Sequence, residues 1–410
     1  MKSCAIERAP WPTVRLDDLA TRGSGHTPNK RVPQYWDGDV RWVSLKDTFR
    51  LNRRYITDTS SRITEEGLAH SSAVLHPRGS VVLLRDAGVG NSGILGHDMA
   101  VSQHFIAWAC GEELDSQFLY YVLQGRKEEF ERISNGSTIK TIGLDHFRRL
   151  TVPLPPLPEQ KRIAAALSDA DELIIGLERL IAKKQAIKQG MMQQLLTGQT
   201  RLPGFTEKWR TVDLGELGAF IKGTGIKRDD VRRSGVPCIR YGEIYTRYRN
   251  YTSETASFVG ERVASEALPI RFGDILFAGS GETRDEIGLC IAFIGRESAV
   301  AGGDIVILRG RDFNPVFLAC AANTPGVASQ KARLGQGDAV VHISGRALAS
   351  IEIDLPQKQE QDAIAEVVLD VDAEIDLLSQ RLAKARAVKQ GMMQELLTGR
   401  TRLGVAEGAA

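Results

Sequence analysis

The sequence predicts an α+β protein in which two mixed α/β domains alternate with two long helices, and two internal repeats predict this architecture. The stronger repeat aligns residues 154–202 with residues 355–403, without a gap and 201 positions apart, with 26 identities in 49 positions. The fainter repeat relates the preceding blocks, because residues 11–19 and 209–217 share the pattern Trp-x-Thr-Val-x-Leu. A period of about half the chain indicates a duplicated unit and not a solenoid of short repeats.

The first globular domain is predicted to cover residues 1–153. Alternating and β-branched apolar residues indicate strands, whereas segments rich in glycine, proline and asparagine indicate loops. The predicted elements are, in order, a strand at residues 11–16, a loop at 22–30, strands at 40–45 and 80–85, and a helix at 118–130.

Residues 154–202 and 354–403 are each predicted to form one long spacer helix. Their apolar and small residues recur at alternating three- and four-residue intervals, which is a heptad seam that has to be buried against another helix. Prolines and glycines mark the two ends, at Pro158 and Gly198 in the first segment and at Pro356 and Gly399 in the second. About 39 residues with a rise of 1.5 Å each give a length of about 58 Å.

The two seams share one phase, which makes them natural partners in a coiled coil. Three lysines interrupt them, namely Lys184, Lys188 and Lys389. The alternative is that the helices are separate and that each packs on its own domain. We favour pairing, because one chain contains two seams of matching phase.

The second globular domain is predicted at residues 203–353, and residues 404–410 form a tail. Residues 236–241 align with 40–45 and residues 272–277 with 78–83, so the two domains share a scaffold and differ in detail. Loops carry function on such scaffolds. The organisation therefore predicts a protein that contacts two places at once.

The length and composition of the chain limit the classes of protein to which it can belong. At 410 residues, of which 42% are hydrophobic, the chain suffices for two or three packed domains. It has no run of 18 apolar residues and no signal-peptide core, so we expect no membrane span and, by default, a cytoplasmic protein. Five scattered cysteines argue against disulfides and zinc. With a net charge of only +2, any nucleic-acid surface must be local.

Residues 240–251 interleave three arginines with four tyrosines. Arginine clamps phosphates or recognises guanine through two hydrogen bonds, and tyrosine supplies stacking faces and hydroxyls. The alternative is an amphipathic strand pair with aromatic contacts between its strands. The matching region of the first domain, residues 44–54, is also basic, although a solvated basic face accounts for it equally well.

Two glycine-rich segments resemble cofactor motifs. Residues 88–93 fit G-x-G-x-x-G after a strand, but the helix that a dinucleotide site needs does not follow, so we predict a turn. Residues 277–281 fit the F-x-G-x-G pattern of adenosylmethionine sites. The Asn/Asp-Pro-Pro-aromatic tetrapeptide of amino-group methyltransferases is missing from the sequence, so a loop is favoured here too.

The remaining chemistry-bearing residues form no catalytic pattern. The seven histidines lack the spacing of a zinc site, and no phosphate-binding G-x-x-x-x-G-K-[ST] motif is present. We therefore expect no metal and no cofactor.

Several segments together resemble the specificity subunits of type I restriction–modification systems, over nearly the whole chain. Residues 25–30 and 35–47 are similar to the start of a target-recognition domain of that family. The second half is similar to another recognition-domain subtype, and the helices to the family's spacers. The segments that carry this second part are residues 222–227, 240–245, 273–282, 157–162 and 188–202. The second spacer departs from the family pattern, because Pro-Gln-Lys-Gln-Glu-Gln at residues 356–361 replaces Pro-Pro-Leu-x-Glu-Gln.

The resemblance implies two target-recognition domains separated by an antiparallel coiled coil with a pseudo-two-fold axis. Such a subunit is non-catalytic and binds a split, asymmetric site in double-stranded DNA, across a gap that the helices set. Two methyltransferase subunits and the restriction subunits are the implied partners. Two other classes stay open: a self-contained adenosylmethionine-dependent DNA methyltransferase, and a coiled-coil adaptor without a DNA role.

The candidate DNA-binding residues are basic, aromatic or hydroxyl side chains in the segments named above or close to them. In the first domain they are Lys30, Ser44, Lys46, Arg50, Arg53 and Arg85, and in the second Lys227, Arg240, Tyr241, Tyr245, Arg247, Arg249 and Arg284.

Overall fold

The computed structural model describes residues 11–136 and 140–403, apart from the side chain of Asn52. The chain divides into two compact units: unit 1 contains residues 1–178 and 380–410, and unit 2 contains residues 179–379. Each unit therefore combines one globular domain with part of each long helix. The predicted tail, residues 404–410, lies outside the described residues.

Unit 1 is built around a five-stranded and a four-stranded sheet. Its strands are β1 (Thr13–Arg15), β2 (Ala20–Ser24), β3 (Trp36–Val43), β4 (Tyr55–Ile56), β5 (Ser61–Ile63), β6 (Leu75–His76), β7 (Val81–Leu84), β8 (Ser92–Leu95), β9 (Met99–Val101), β10 (Phe105–Cys110) and β11 (Thr151–Pro153). Its helices are α1 (Leu16–Leu19), α2 (Glu65–Ala69), α3 (Ser116–Gly125), α4 (Lys127–Ile133) and α5 (Leu144–Arg148), followed by the first part of α6 (Leu157–Leu195).

Unit 2 repeats this plan. Its strands are β12 (Arg210–Asp213), β13 (Gly218–Lys222), β14 (Val231–Arg232), β15 (Val236–Ile239), β16 (Tyr251–Thr252), β17 (Ser257–Val259), β18 (Leu268–Ile270), β19 (Ile275–Ala278), β20 (Ser280–Gly281), β21 (Cys290–Phe293), β22 (Ala299–Ala301), β23 (Ile305–Gly310), β24 (Val341–His342) and β25 (Glu352–Leu355). Its helices are α7 (Tyr241–Thr246), α8 (Glu261–Glu266), α9 (Pro315–Ala322), α10 (Pro325–Leu334) and α11 (Gly345–Ala349), and the first part of α12 (Lys358–Leu396).

The sheet topology confirms that the two domains share one scaffold. The five-stranded order β2-β10-β7-β8-β4 of unit 1 matches β13-β23-β19-β21-β16 of unit 2. In both sheets the last strand joins its neighbour in parallel and the other pairs are antiparallel. The second sheets match as well, because β3 pairs in parallel with β9 as β15 does with β22. Similar sheets thus underlie domains whose sequences share only faint likeness.

Local structure differs from the sequence-based prediction at residues 118–130 and 240–251, and also at residues 277–281, where the end of β19 and strand β20 replace the favoured loop. The single helix predicted at residues 118–130 is two helices that meet at Arg126, directly after Gly125, a residue type that weakens helices. Residues 240–251 do not form a strand pair, because they begin with the short helix α7 and only then reach β16. Tyr241 and Tyr245 therefore lie on a short helix, and Tyr251 alone of the four tyrosines lies in a strand.

The long helices α6 and α12 are each 39 residues, the predicted length. Both begin at equivalent repeat positions, although the sequence departs from the family pattern at residues 356–361. Two identical residues explain this. The side-chain amides of Gln160 and Gln361 donate to the carbonyl oxygens of Pro155 and Pro356, both at 2.9 Å.

Within each unit the segments of α6 and α12 run antiparallel. Their ion pairs show this, because a residue further along α6 pairs with a residue earlier in α12. In unit 1, Asp171 pairs with Lys389 and Glu178 with Arg386. In unit 2, Lys184 pairs with Glu374 and Lys188 with Asp372. The three lysines that interrupt the seam each have an acidic partner on the opposite helix.

The helices also complete the two hydrophobic cores. Ile163 and Leu167 of α6, with Leu396 of α12, are buried in the core of unit 1. Ile364 and Val368 of α12 are buried in the core of unit 2. Within the described residues, no helix combines the length and apolarity needed to cross a bilayer.

Candidate nucleic-acid interface

Unit 1 contains a groove of about 560 Å³, most of which three loop segments form. The loop after β2, the turn after β3 and the turn between β9 and β10 contribute its walls. We call it loop groove 1, and its lining residues are Thr27, Lys30, Trp36, Trp42, Ser44, Leu45, Lys46, Ser61, Ser102, Gln103 and His104.

Unit 2 contains a groove of about 680 Å³ at the equivalent place. The loop after β13, the start of α7 and the turn between β22 and β23 form it. We call it loop groove 2, lined by Gly225, Ile226, Lys227, Arg228, Arg240, Tyr241, Gly242, Glu243, Thr246, Arg247, Ala256, Ser257, Gly302, Gly303 and Asp304. The same scaffold thus presents one groove per unit, with different side chains.

In each groove a buried carboxylate accepts hydrogen bonds from the surrounding chain. In loop groove 1, Asp47 is fully buried and accepts hydrogen bonds from the backbone N–H of Ser44 (3.0 Å) and of Ser60 (2.7 Å). In loop groove 2, Glu243 accepts from the backbone N–H of Arg240 (3.1 Å) and from the Ser257 hydroxyl. Asp47 joins its helical turn to the residue before β5, and Glu243 joins α7 to β17, so the backbone around each groove is held in place.

Seven of the thirteen candidate residues line these grooves. They are Lys30, Ser44 and Lys46 in loop groove 1, and Lys227, Arg240, Tyr241 and Arg247 in loop groove 2. Lys30, Lys46, Lys227 and Arg247 are exposed, as is the Tyr241 ring. Arg240 is held in place, because its guanidinium Nη2 donates to Glu243 Oε1 at 2.9 Å.

Three of the remaining candidates have partners within the protein. The Tyr245 hydroxyl donates to the carbonyl oxygen of Ser280 at 3.1 Å, and burial raises the pKa of Tyr245 to about 12. Arg284 donates to the carbonyl oxygens of residues 335 and 337 and so orders that loop. Arg249 Nη1 lies 3.4 Å from Asp372 Oδ1 of α12.

The last three candidates lie in unit 1 and do not line loop groove 1. Arg50 pairs with Asp47, with 3.3 Å between Nε and Oδ1, and its guanidinium lies over the Phe49 ring. Arg85 is half-buried, and its Nε has no hydrogen-bond partner among the residues that the structure describes. Arg53 is exposed on the turn before β4.

Sequence reasoning missed the turn that closes each groove, which carries Gln103 and His104 in unit 1 and Asp304 in unit 2. The sequence contains little sign of this turn. His104 and Asp304 lie 200 positions apart, close to the 201 positions that separate the two helix repeats, but their side chains are chemically different. In unit 1, His104 Nδ1 lies 2.7 Å from Asp86 Oδ1 and the Thr27 hydroxyl donates to Gln103 Oε1 at 2.6 Å.

A second pair of equivalent grooves runs along the ends of the long helices. Helix groove 1, of about 710 Å³, lies between the end of α12 and the junction of α3 with α4 in unit 1. Helix groove 2, of about 520 Å³, lies between the end of α6 and the junction of α9 with α10 in unit 2. The same five repeat residues line both: Gln189, Met192, Gln193, Leu196 and Thr197 in unit 2, and Gln390, Met393, Gln394, Leu397 and Thr398 in unit 1.

The metal-binding residue types and the two glycine-rich segments are the features that bear on metal or nucleotide chemistry. The described part of the chain contains no group of three or more His, Cys, Asp or Glu side chains that could hold a metal ion. Of residues 88–93, which were predicted to form a turn, residues 88–91 lie between β7 and β8, whereas Ser92 and Gly93 begin β8. Phe277 and Ala278 are fully buried in β19, and the Gly279 N–H donates to the carbonyl oxygen of Asp304 at 2.7 Å.

Comparison with known proteins gives one consistent result. The family model for the type I restriction modification DNA specificity domain matches residues 9–189 and 206–387. The type I restriction enzyme MjaVIII specificity subunit of Methanocaldococcus jannaschii is 24% identical, over 96% of this chain and 93% of its own length.

Solved structures share the fold. The S subunit of a type I restriction–modification system from M. genitalium superposes with a TM-score of 0.59 at 17% identity, covering 95% of this chain and 97% of that one. A chain solved in connection with complex assembly and conformational transition of the type I system gives a TM-score of 0.60 at 18% identity, covering 96% and 99%.

Proposed function

The chain belongs to the type I restriction–modification DNA specificity family, and from this premise we propose that it binds a split, asymmetric site in double-stranded DNA. In this proposal each unit recognises one half of the site through its loop groove. The subunit itself performs no catalysis and brings methyltransferase and restriction subunits to that DNA.

One observation carries the proposal: two grooves occupy equivalent places on one scaffold and differ in their side chains. Loop groove 1 offers two lysines and neutral polar groups, whereas loop groove 2 offers three arginines, one lysine and an exposed tyrosine. Lysine acts as a point charge toward phosphate, whereas arginine also recognises guanine through a planar pair of hydrogen bonds. Two unlike grooves favour two unlike half-sites.

Exchange of one globular domain tests this division. If residues 1–153 are replaced with the corresponding domain of a relative, we expect one half of the methylated sequence to change and the other half to stay the same. The measurement is the methylation pattern of DNA exposed to the chimeric subunit with its partner subunits. A change in both halves would contradict the assignment of one half-site to each unit.

The rival function, a self-contained methyltransferase, depends on residues 277–281. The hydrogen bond from the Gly279 N–H to Asp304 already uses the glycine-rich backbone, and Ser280 pairs with His342 across β20 and β24. An adenosylmethionine site needs such backbone groups free to meet the ligand. Titration of the isolated chain with adenosylmethionine separates the two functions, because a specificity subunit should not bind it.

The two helix grooves support docking of two methyltransferase subunits, one on each unit. Their five shared residues belong to the most similar part of the sequence repeat, and one of the five, Leu196 in unit 2 or Leu397 in unit 1, is a buried leucine. Two copies of one partner need two equal surfaces, and the repeat supplies them. Restriction subunits are the other partners that this function implies.

A charged side chain in one helix groove should therefore remove one methyltransferase subunit. Gln193 and Gln394 are exposed equivalents, so Gln193→Arg and Gln394→Arg should leave the fold intact. Native mass spectrometry should show one bound methyltransferase subunit for each single variant and none for the double variant. The control is Gln380→Arg, because Gln380 is exposed on α12 and lines neither helix groove, so this variant should keep both methyltransferase subunits. Full occupancy of the double variant would remove the helix grooves from the docking surface.

A further inference from the structure

An acidic side chain lies within the basic loop groove 2. Asp304 occupies the turn between β22 and β23, is exposed and lines the groove. Its turn is held at several points, because the Asp304 carbonyl oxygen accepts from the Gly279 N–H and the Gly302 N–H donates to the carbonyl oxygen of Ile239 at 2.9 Å. The backbone that carries the carboxylate is therefore fixed by the two sheets.

Asp304 also lines a neighbouring cavity of about 400 Å³, together with Lys222, Ser280, Gln336 and His342. It thus stands where two polar cavities adjoin. Within the residues that the structure describes, no hydrogen bond or ion pair engages its carboxylate. This is unlike the Glu243 carboxylate in the same groove, which is buried and bonded to Arg240.

The charge of Asp304 is unfavourable on a surface that binds only phosphates. Lys227 and Arg247 in the groove and Lys222 beside it are suited to neutralising the DNA backbone. A carboxylate among them repels phosphate and weakens this sequence-independent attraction. In the major groove, the groups on DNA that a carboxylate can accept from are the exocyclic amino groups of cytosine N4 and adenine N6.

We propose that Asp304 recognises the exocyclic amino group of a cytosine or adenine in the half-site bound by unit 2, while the surrounding cations hold phosphates. This inference rests on the proposed function of the loop grooves. The equivalent turn of unit 1 carries Gln103 and His104: His104 occupies the position of Asp304, and the exposed Gln103 places an amide next to it. Glutamine recognises adenine through two hydrogen bonds. The turn between these two strands is then a specificity-determining segment in both units.

The simplest alternative is that Asp304 only balances charge. The two roles predict opposite effects for Asp304→Ala. Loss of a base contact relaxes the preference at one position of one half-site. Loss of a repulsive charge strengthens binding to every sequence alike.

The experiment uses the subunit in complex with its methyltransferase subunits and selects bound DNA from a library of random duplexes, which is then sequenced. For Asp304→Ala, the preference for cytosine or adenine should fall at one position of one half-site, by about 5- to 150-fold, which corresponds to about 1–3 kcal/mol. All other positions should keep their wild-type preferences. Asp304→Asn preserves the shape of the side chain and should alter the same position alone, which guards against a folding defect in the alanine variant.

Two further variants complete the design. Asp229 is an exposed acid of the same domain that does not line the groove, so Asp229→Ala should raise affinity for all sequences alike. Gln103→Ala should change one position in the other half-site. If Asp304→Ala behaved like Asp229→Ala, Asp304 would not recognise a base. If the wild-type complex selected no split sequence, the proposed function itself would fail, and the two failures are distinguishable.

Discussion

Replacing Asp372 with alanine is expected to lower the free energy of unfolding by about 3–5 kcal/mol, because it leaves a poorly solvated lysine without its partner. Asp372 is 4% exposed, and Lys188 Nζ lies 2.5 and 2.6 Å from its two oxygens. The Tyr251 hydroxyl also donates to it, at 3.1 Å. The carboxylate therefore joins both helices to the globular domain of unit 2.

Urea-induced unfolding measures this effect, and a double variant tests its cause. If the cost arises from the uncompensated lysine, Lys188→Met in the Asp372→Ala background should restore most of the stability. Glu266→Ala provides the control, because its contact with Arg262 is exposed and 3.9 Å long, and its loss should cost less than about 1 kcal/mol. Equal effects of the two alanine variants would contradict this account.

Replacing Glu243 with alanine is expected to abolish recognition of one half-site and to spare the other. Glu243 is 5% exposed, and its removal deprives the Arg240 backbone N–H and guanidinium and the Ser257 hydroxyl of their acceptor. Unsatisfied buried donors cost about 1–3 kcal/mol each. Loop groove 2 should therefore lose its shape, since the start of α7 is no longer tied to β17.

Asp47→Ala is the matched variant in unit 1 and should abolish recognition of the other half-site. Sequencing of methylated DNA reads out both halves at once, and circular dichroism shows whether the remaining structure is retained. Glu243→Gln should have a milder effect than Glu243→Ala, because its amide oxygen still accepts a hydrogen bond. The loss of both halves in either alanine variant would show that the grooves are not independent.

The helices were the most predictable part of the fold, because the pattern that specifies them is local and occurs twice. The residues that pair across the two helices were harder to predict. Lys188 and Lys389 looked like flaws in an apolar seam, and their acids, Asp372 and Asp171, lie about two hundred residues away. The repeat is consistent with these partners, because Lys188 and Lys389 occupy equivalent repeat positions, and so do Asp171 and Asp372.

The candidate interface was predicted only in part, because each groove forms from three segments that are distant in sequence. Exposed basic residues such as Lys46 and Arg247 could be selected by composition. Composition could not show that Arg284 bonds to a neighbouring loop or that the Tyr245 hydroxyl points inward. Nor could it select Asp304, since an acid counts against DNA binding until its place among the cations is known.

The division of the chain has a consequence for its synthesis on the ribosome. Unit 2 is one continuous segment, whereas unit 1 joins the start of the chain to residues 380–410. Leu396 and Leu397, which are buried in the core of unit 1, are made more than two hundred residues after α6 begins. At about 5–20 residues per second, that delay is on the order of 10–40 s. The domain translated first is thus expected to be completed last, and during that interval part of its apolar surface is left for chaperones to cover.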